Sequence, residues 1–217
     1  METREFKDFI YGEFSRIGKA ISSPKRIELL DLLTQGPKSV EALALDTKMS
    51  IANTSKHLQT LLEAKLVIFS KDKNYVIYRL ASEQVLAFVF ALRGTAEDRI
   101  SDVSHIREDF ILRKNTVKPI SFAELTEKLR NNGVMLLDVR PAEEYETEHL
   151  PNALSIPISE LEEKLDSLPN DKEFVAYCRG PYCVYATEAV ELLRSKGYQA
   201  SLLEAGINEW KQIHHSI

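Results

Sequence analysis

Residues 51–80 read IANTSKHLQTLLEAKLVIFSKDKNYVIYRL, and a change of period inside this stretch decides the architecture of the first half of the chain. From Ile51 to Lys65 the apolar residues recur with helical spacing. Turning 100° per residue about Leu58 puts Ile51, Thr54, Ser55, Leu61, Leu62 and Lys65 on or beside a buried face. Ala52, Asn53, Lys56 and Thr60 then lie opposite, with His57 and Gln59 at the margins. Beyond Leu66 the pattern becomes two β-branched and aromatic runs separated by the polar tetrad 71–74, which predicts a hairpin with Lys71 and Lys73 at its tip and Arg79 beside it. Upstream, Ser39 opens a short helix from Val40 to about Asp46, and Ser50 caps the next one after the turn Thr47-Lys48-Met49. Two short helices, a tight turn and a charged hairpin therefore follow one another.

Further outward, a helix opens at Ser23-Pro24 and runs to Leu33, preceded by an amphipathic stretch carrying Phe6, Phe9, Ile10, Phe14 and Ile17. On the other side, residues 82–113 predict one helix of roughly 30 residues. Its apolar positions, Val85, Val89, Leu92, Ala96, Ile100, Val103 and Phe110, suit a helix partner. Residues 115–119 break that helix, and the grammar changes. VMLLDV (134–139), ALSIPI (153–158), FVAYC (174–178) and QASLLE (199–204) are short apolar runs separated by helical periods. Such alternation predicts an α/β unit with a mostly parallel sheet flanked by helices, binding ligands at the carboxyl ends of its strands. Two domains are expected, a mainly-α winged unit at 1–115 and an α/β unit at 116–217.

The 217 residues, 44% hydrophobic and 28% charged, fit ordinary globular usage and exclude gross disorder. The longest apolar run, Val85 to Leu92, is too short to span a bilayer, and the opening METREFKDFIYGEF lacks the basic-then-apolar order of a secretory signal. A cytoplasmic protein without membrane partners is expected. The net charge of -5 hides an asymmetry: residues 16–79 hold eleven Lys and Arg against six Asp and Glu, whereas 116–217 hold ten against seventeen. A basic segment in an acidic chain points to a polyanion partner for that segment alone.

The outward face of 51–65 carries side chains suited to a major groove. Asn53 can pair with adenine, Lys56 with guanine or phosphate, and Ala52 or Thr60 can touch a thymine methyl, with His57 and Gln59 flanking them. Lys71, Lys73 and Arg79 would neutralise phosphates. SSPKRIELLDLL, SVEALA and IANTSKHLQTLLEAKLV with its hairpin resemble the winged-helix repressors of the ArsR/SmtB family. The resemblance implies a homodimer through the first and last helices of the domain, bound to double-stranded operator DNA. That family often senses metals through cysteines in the helix before the recognition helix, or through acidic and histidine sets on the terminal helix. Here 40–46 contains no Cys, and Asp102, His105 and Asp109 lack a matching second cluster. No metal and no cofactor are expected.

The only two cysteines, Cys178 and Cys183, lie in one short segment, FVAYCRGPYCVYATEAVELLRSKGY, and so suggest chemistry rather than scaffolding. The segment reads as a strand, a tight loop and a helix. Backbone N–H groups of Arg179, Gly180, Tyr182, Cys183 and Val184, shaped by Gly180 and Pro181 and backed by the helix dipole, predict a cradle that depresses the Cys178 thiol and stabilises a persulfide. Arg179 adds field if it turns inward. A phosphatase cradle of the C-x5-R type would need Arg where Val184 stands, so dianion clamping is not expected. LLDVRPAEEYETEHLPNA, CRGPYC and LLEAGINEW resemble a single rhodanese domain over residues 119–212. That resemblance implies that Cys178 accepts a sulfane sulfur from thiosulfate, a persulfide or a polysulfide, with Asp138, Arg140 and His149 as scaffold. Glu148, Asn152 and Glu204-Ala205 replace residues usual in the family, at the rim that admits the donor. Cys183 either closes the loop or resolves a Cys178 persulfide.

Together these readings predict a DNA-binding regulator, a repressor in its family's manner, that senses or transfers sulfane sulfur. One alternative is a sulfurtransferase in which the winged helix localises or dimerises the enzyme. A metalloid- or metal-responsive repressor using the two thiols is the other.

Overall fold

The computed structural model describes residues 2–113, 117, 119–131 and 133–214. The break expected at 115–119 falls largely outside the described residues, as does the boundary between 115 and 116. The chain forms two compact units, Met1–Thr95 and Ala96–Ile217.

The first unit holds α1 (Thr3–Ile21), α2 (Pro24–Leu33), β1 (Lys38–Ser39), α3 (Val40–Thr47), α4 (Ile51–Glu63), β2 (Val67–Asp72), β3 (Tyr75–Leu80) and the start of α5 (Glu83–Arg99). The two predicted serine caps form: Ser39 accepts from the Ala42 amide at 3.1 Å and Ser50 from the Asn53 amide at 3.3 Å. Ser23 precedes α2 but makes no side-chain cap bond; Pro24 alone starts that helix. Lys48 ends α3 in the left-handed region at φ 53°, turning the chain sharply into α4. The hairpin pairs Asp72 with Tyr75, so its turn is Lys73-Asn74, and Lys71 stays in the ladder. β1, which the sequence reading did not contain, adds to β3 as a third antiparallel strand. Leu29, Leu43, Leu58, Leu61 and Val67 are wholly buried at the centre of this unit.

Two expectations are corrected here. Ile51 is 54% exposed, and Ser55 and Lys65 are exposed as well. Ile51 sits in the first turn of α4, where no later turn covers it, and α4 ends at Glu63, before Lys65. The 30-residue helix is also interrupted: α5 stops at Arg99, Ile100 is extended at φ -117° and ψ 93°, and α6 runs Ser101–Phe110. Ile111 and Leu112 pack in the core of the second unit, and Thr187 Oγ1 donates to the Ile111 carbonyl at 3.0 Å.

The second unit continues with β4 (Pro119–Ile120), α7 (Phe122–Arg130), β5 (Val134–Asp138), α8 (Ala142–Thr147), β6 (Leu154–Ser155), α9 (Ile158–Lys164), β7 (Glu173–Tyr177), α10 (Tyr185–Ser195), β8 (Ala200–Leu203) and α11 (Ile207–His214). Its five strands are all parallel, in the order β4-β8-β7-β5-β6. One hydrophobic cluster gathers around Phe174, Ala176 and Val190, another around Val175, Tyr177 and Leu203, as the alternation along β7 requires. The central strand β7 thus ends at Tyr177, and Cys178 is the first residue beyond its carboxyl end. No helix among the described residues is long and apolar enough to cross a membrane.

Candidate functional site

Two sites emerge, one in each unit. On α4, Thr54, Leu58 and Leu61 are buried, and this fixes the rotation of the helix. Ala52, Asn53, Lys56 and Gln59 are exposed on it, and His57 and Thr60 are half-buried. Asn53 Nδ2 lies 3.4 Å from the Met49 sulfur, and Thr60 Oγ1 donates back to the Lys56 carbonyl. Lys71, Lys73 and Arg79 are exposed on the hairpin, Lys73 in the left-handed region at φ 52°. Partial burial, then the charges of Arg26, Lys56 and Lys25, hold His57 below its ordinary value, so it is neutral at physiological pH. A neutral imidazole beside Lys56 offers one donor and one acceptor rather than a phosphate-binding charge.

The second site is the loop between β7 and α10. Gly180 occupies φ +131°, which an L side chain rarely adopts, and the chain there turns tightly enough for the Cys183 amide to reach the Gly180 carbonyl at 3.1 Å. Gly206 was not singled out in the sequence, yet a Cβ there would stand 2.8 Å from the Cys178 carbonyl oxygen and 2.9 Å from the Arg179 carbonyl carbon. Glu209 accepts from the Gly206 amide at 2.9 Å.

The cradle forms differently from the sequence expectation. Its amides are divided between two sulfurs: those of Gly180 and Ala186 serve Cys178, and those of Arg179 and Tyr185 serve Cys183. Cys178 is 3% exposed, whereas Cys183 is half-buried. The Cys178 thiol donates to the Cys183 carbonyl at 3.3 Å. Burial works against the depressed thiol expected at Cys178. Burial pushes Cys178 well up, aided by the Cys183 group, while its hydrogen bond with Cys178 pulls Cys183 down.

Arg179 does not turn inward. Its guanidinium grips Glu144 at 2.9 Å from Nε and 2.6 Å from Nη2 and lies over the Tyr185 ring, with only 12% and 3% of the two side chains exposed. Glu144, placed by α8, is a site residue that sequence reasoning missed. Its signal was a carboxylate in the short acidic helix following β5. Asp138 and Arg140 form a wholly buried pair, with Arg140 Nη2 at 2.6 Å from Asp138 and 2.8 Å from the Glu148 carbonyl. The His149 ring stacks on Tyr145 with centroids 3.8 Å apart. Both arrangements tie backbone segments together. Asn152 adopts φ 62°, a left-handed position that asparagine tolerates.

Two loop-side contacts involve the helices leading into this unit. The Tyr182 hydroxyl donates to Glu97 of α5, and Arg107 of α6 pairs with Glu204 at 2.8 Å. A cavity of about 720 Å³ opens beside the loop, lined by Ile120, Phe122, Pro181 and Leu203 and by the carboxylates Glu124, Glu204 and Glu209. Among the described residues lining it, none is Lys or Arg. Asp102, His105 and Asp109 are all exposed on α6.

Two family models match the chain: a bacterial regulatory protein model of the arsR family over residues 23–68 and a rhodanese-like domain model over 121–213. An HTH-type transcriptional regulator of Mycobacterium tuberculosis is 37% identical over 205 residues, covering 94% of this chain and 90% of its own. A thiosulfate sulfurtransferase of Coxiella burnetii is 28% identical over 98 residues, which are 45% of this chain and 90% of that one. The solved homodimeric winged helix-turn-helix domain of a Mycobacterium bovis protein is 31% identical, covering 46% of this chain and 91% of that one at a TM-score of 0.43.

Proposed function

The chain belongs to the arsR family of bacterial transcriptional regulators and joins that DNA-binding module to a rhodanese-like domain; on that premise we propose that the second domain senses sulfane sulfur and passes its state to DNA binding. The observation that carries this reading is the Tyr182–Glu97 hydrogen bond. Tyr182 lies inside the cysteine loop, and Glu97 lies on α5, the helix that begins in the first unit at Glu83. Sulfur on the loop can shift a conformational equilibrium only through contacts that differ between states. A change of loop shape would reach that helix through this contact. Thr187 on the Ile111 carbonyl and Arg107 on Glu204 extend the same attachment.

In this proposal Asn53, Lys56, Gln59, Ala52, His57 and Thr60 face the base edges, and Lys71, Lys73 and Arg79 meet phosphates. The protein acts as a homodimer. Support for the dimer comes from α1, where Phe6, Phe9, Tyr11 and Phe14 are between 49% and 66% exposed. Four aromatic side chains left in water along one helix are a costly arrangement that a partner helix relieves.

The donor is a sulfane-sulfur carrier: thiosulfate, a persulfide or a polysulfide. The test is a gel-shift titration of the protein's own promoter region with polysulfide, for wild type and Cys178→Ser. A polysulfide-dependent change in affinity that the variant loses is expected; equal affinity in all four conditions rejects the sensor.

A further inference from the structure

We infer that the cavity beside the sulfur loop binds an organic molecule with an apolar body, and that this molecule is the carrier part of the sulfane-sulfur donor. The inference rests on the sulfur-sensing reading and names the class of donor for it. Three observations carry it. First, the cavity lies on the same edge of the sheet as Cys178. Ile120 and Leu203, the last residues of β4 and β8, stand in its wall, and Cys178 is the first residue beyond β7, which pairs with β8. That edge is where open parallel sheets take their ligands. Second, the volume of about 720 Å³ suits a small organic molecule, and the walls are largely hydrocarbon, from Ile120, Phe122, Leu203, Ile213 and Pro181. The carboxylates beside them are already engaged within the protein: Glu124 accepts from the Ser121 amide at 2.7 Å, Glu209 accepts from the Gly206 amide at 2.9 Å, and Glu204 pairs with Arg107 at 2.8 Å. Among the described lining residues none is Lys or Arg, so a carrier that brought its own carboxylate would bury it without a cationic partner.

Third, the cavity and the sulfur loop share a wall. Pro181 belongs to both, and the Glu209 carboxylate lies so close to Gly180 that a Cβ there would stand 3.1 Å from Oε1. The same carboxylate holds Gly206, which packs on the Cys178 carbonyl. A molecule seated in the cavity therefore presses on the segment that carries Cys178. In the transfer the Cys178 sulfur attacks the outer sulfur of the donor R–S–SH, whose S–S bond breaks. The carrier leaves as the thiol RSH with the proton that the Cys178 thiol gives up. Cys178 is oxidised to its persulfide and the carrier sulfur is reduced, so no other oxidant enters. The cavity holds R during this exchange, and burial of R selects among donors of the same reactive end.

The experiment uses the full-length protein as wild type, Ala123→Leu and Ala205→Leu. Both alanines line the cavity, and the larger side chain fills part of it. Ala123 is exposed at the start of α7, which keeps the test readable if the half-buried position 205 disturbs folding. The binding probe is methyl 2-phenylethyl sulfide, which has an apolar body and no sulfane sulfur. Trp210, the chain's one tryptophan, follows Glu209 on α11 and packs against the same cluster as Ile120 and Phe122, so its fluorescence reports occupancy. A saturable change is expected in the wild type, with Kd raised about tenfold or more in both variants. Mass spectrometry should then show Cys178 loaded about tenfold or more faster from 2-phenylethyl persulfide than from glutathione persulfide, and this preference should collapse in both variants. The inference is overturned if the probe does not saturate, if both variants bind it as the wild type does, or if the two persulfides load the wild type at one rate. In those cases sulfur on Cys178 still supports sensing. No sulfur on Cys178 from either donor would remove the sensing reading and the carrier assignment together.

Discussion

If the loop signals through Tyr182, then Tyr182→Phe, which deletes one oxygen, should uncouple sulfur from DNA. The hydroxyl donates to the Glu97 carboxylate, and a hydrogen bond to a charged group contributes about 1.5–3 kcal/mol when well shielded. Tyr182 is 39% exposed, so water competes for both partners and about 1 kcal/mol is the appropriate figure. Per protomer that is about a fivefold bias between loop states. In a dimer that switches as one body the two contributions add to about 2 kcal/mol, or about thirtyfold. The assay is fluorescence anisotropy of a labelled promoter fragment at fixed salt, with untreated and polysulfide-treated protein. The untreated variant should already bind with an affinity displaced toward that of the treated wild type, and its further response should shrink by the same factor. Glu97→Gln, which keeps an acceptor but removes the charge, should fall between the two. An untreated affinity identical to wild type together with an undiminished response would refute the relay, because the only group removed is the one credited with carrying it.

Other substitutions test separate parts of the account. Gly206→Ala forces a Cβ against the Cys178 carbonyl oxygen and the Arg179 carbonyl, both backbone and unable to yield, so the loop must shift and sulfur uptake measured by mass spectrometry should fall at least tenfold while DNA binding persists. Glu144→Gln strips the counter-charge from an Arg179 that is only 12% exposed; urea denaturation should show the second unit losing about 3 kcal/mol, and no loss would mean the guanidinium finds water. Lys71→Ala should weaken binding to every DNA sequence alike and lower the salt dependence by about one unit of slope, whereas Asn53→Ala should cost about 1–3 kcal/mol and relax the preference at a single base pair. Iodoacetamide alkylation followed against pH should rise first at Cys183, at a pH below the ordinary thiol range, because a lowered acid gains its anion early as pH increases; alkylation of Cys178 should begin only above that range, and the reverse order would show that burial does not dominate at Cys178.

The elements were legible where a strong local period coincided with burial. Thr54, Leu58 and Leu61 share one face of α4 because three- and four-residue spacing places them there, and the exposed set opposite follows from the same geometry. Ser39 and Ser50 were legible as caps because capping is a contact between residues three apart. What escaped depends on groups far apart in sequence. The break at Ile100 carries no proline or glycine, and beyond it the chain is tied to the second unit by the Thr187 bond to Ile111, 76 residues apart. Glu144 captures Arg179 across 35 residues, and Tyr182 reaches Glu97 across 85. No window of sequence contains both partners of such a pair.

The same limitation explains why the thiol at Cys178 was misjudged. Loop composition and a following helix correctly indicate amides near sulfur, but ionisation depends on a competition that the sequence does not express. Amide hydrogen bonds and the helix terminus favour an anion, while enclosure by Val139, Ile156 and Ala186 opposes it. A second cysteine five residues on is coupled to the first, because the Cys178 thiol donates to the Cys183 carbonyl at 3.3 Å. A persulfide formed on Cys178 therefore has a second thiol within the same loop to resolve it: attack by the Cys183 sulfur on the Cys178 Sγ would form a disulfide and release the outer sulfur as hydrogen sulfide. On this reading Cys183→Ser should leave persulfide uptake running and abolish the release of hydrogen sulfide, whereas Cys178→Ser should stop both. A stopped-flow measurement of persulfide consumption beside an electrode reading of sulfide separates the two steps, and sulfide release retained in Cys183→Ser would show that the closing reaction has been assigned to the wrong residue.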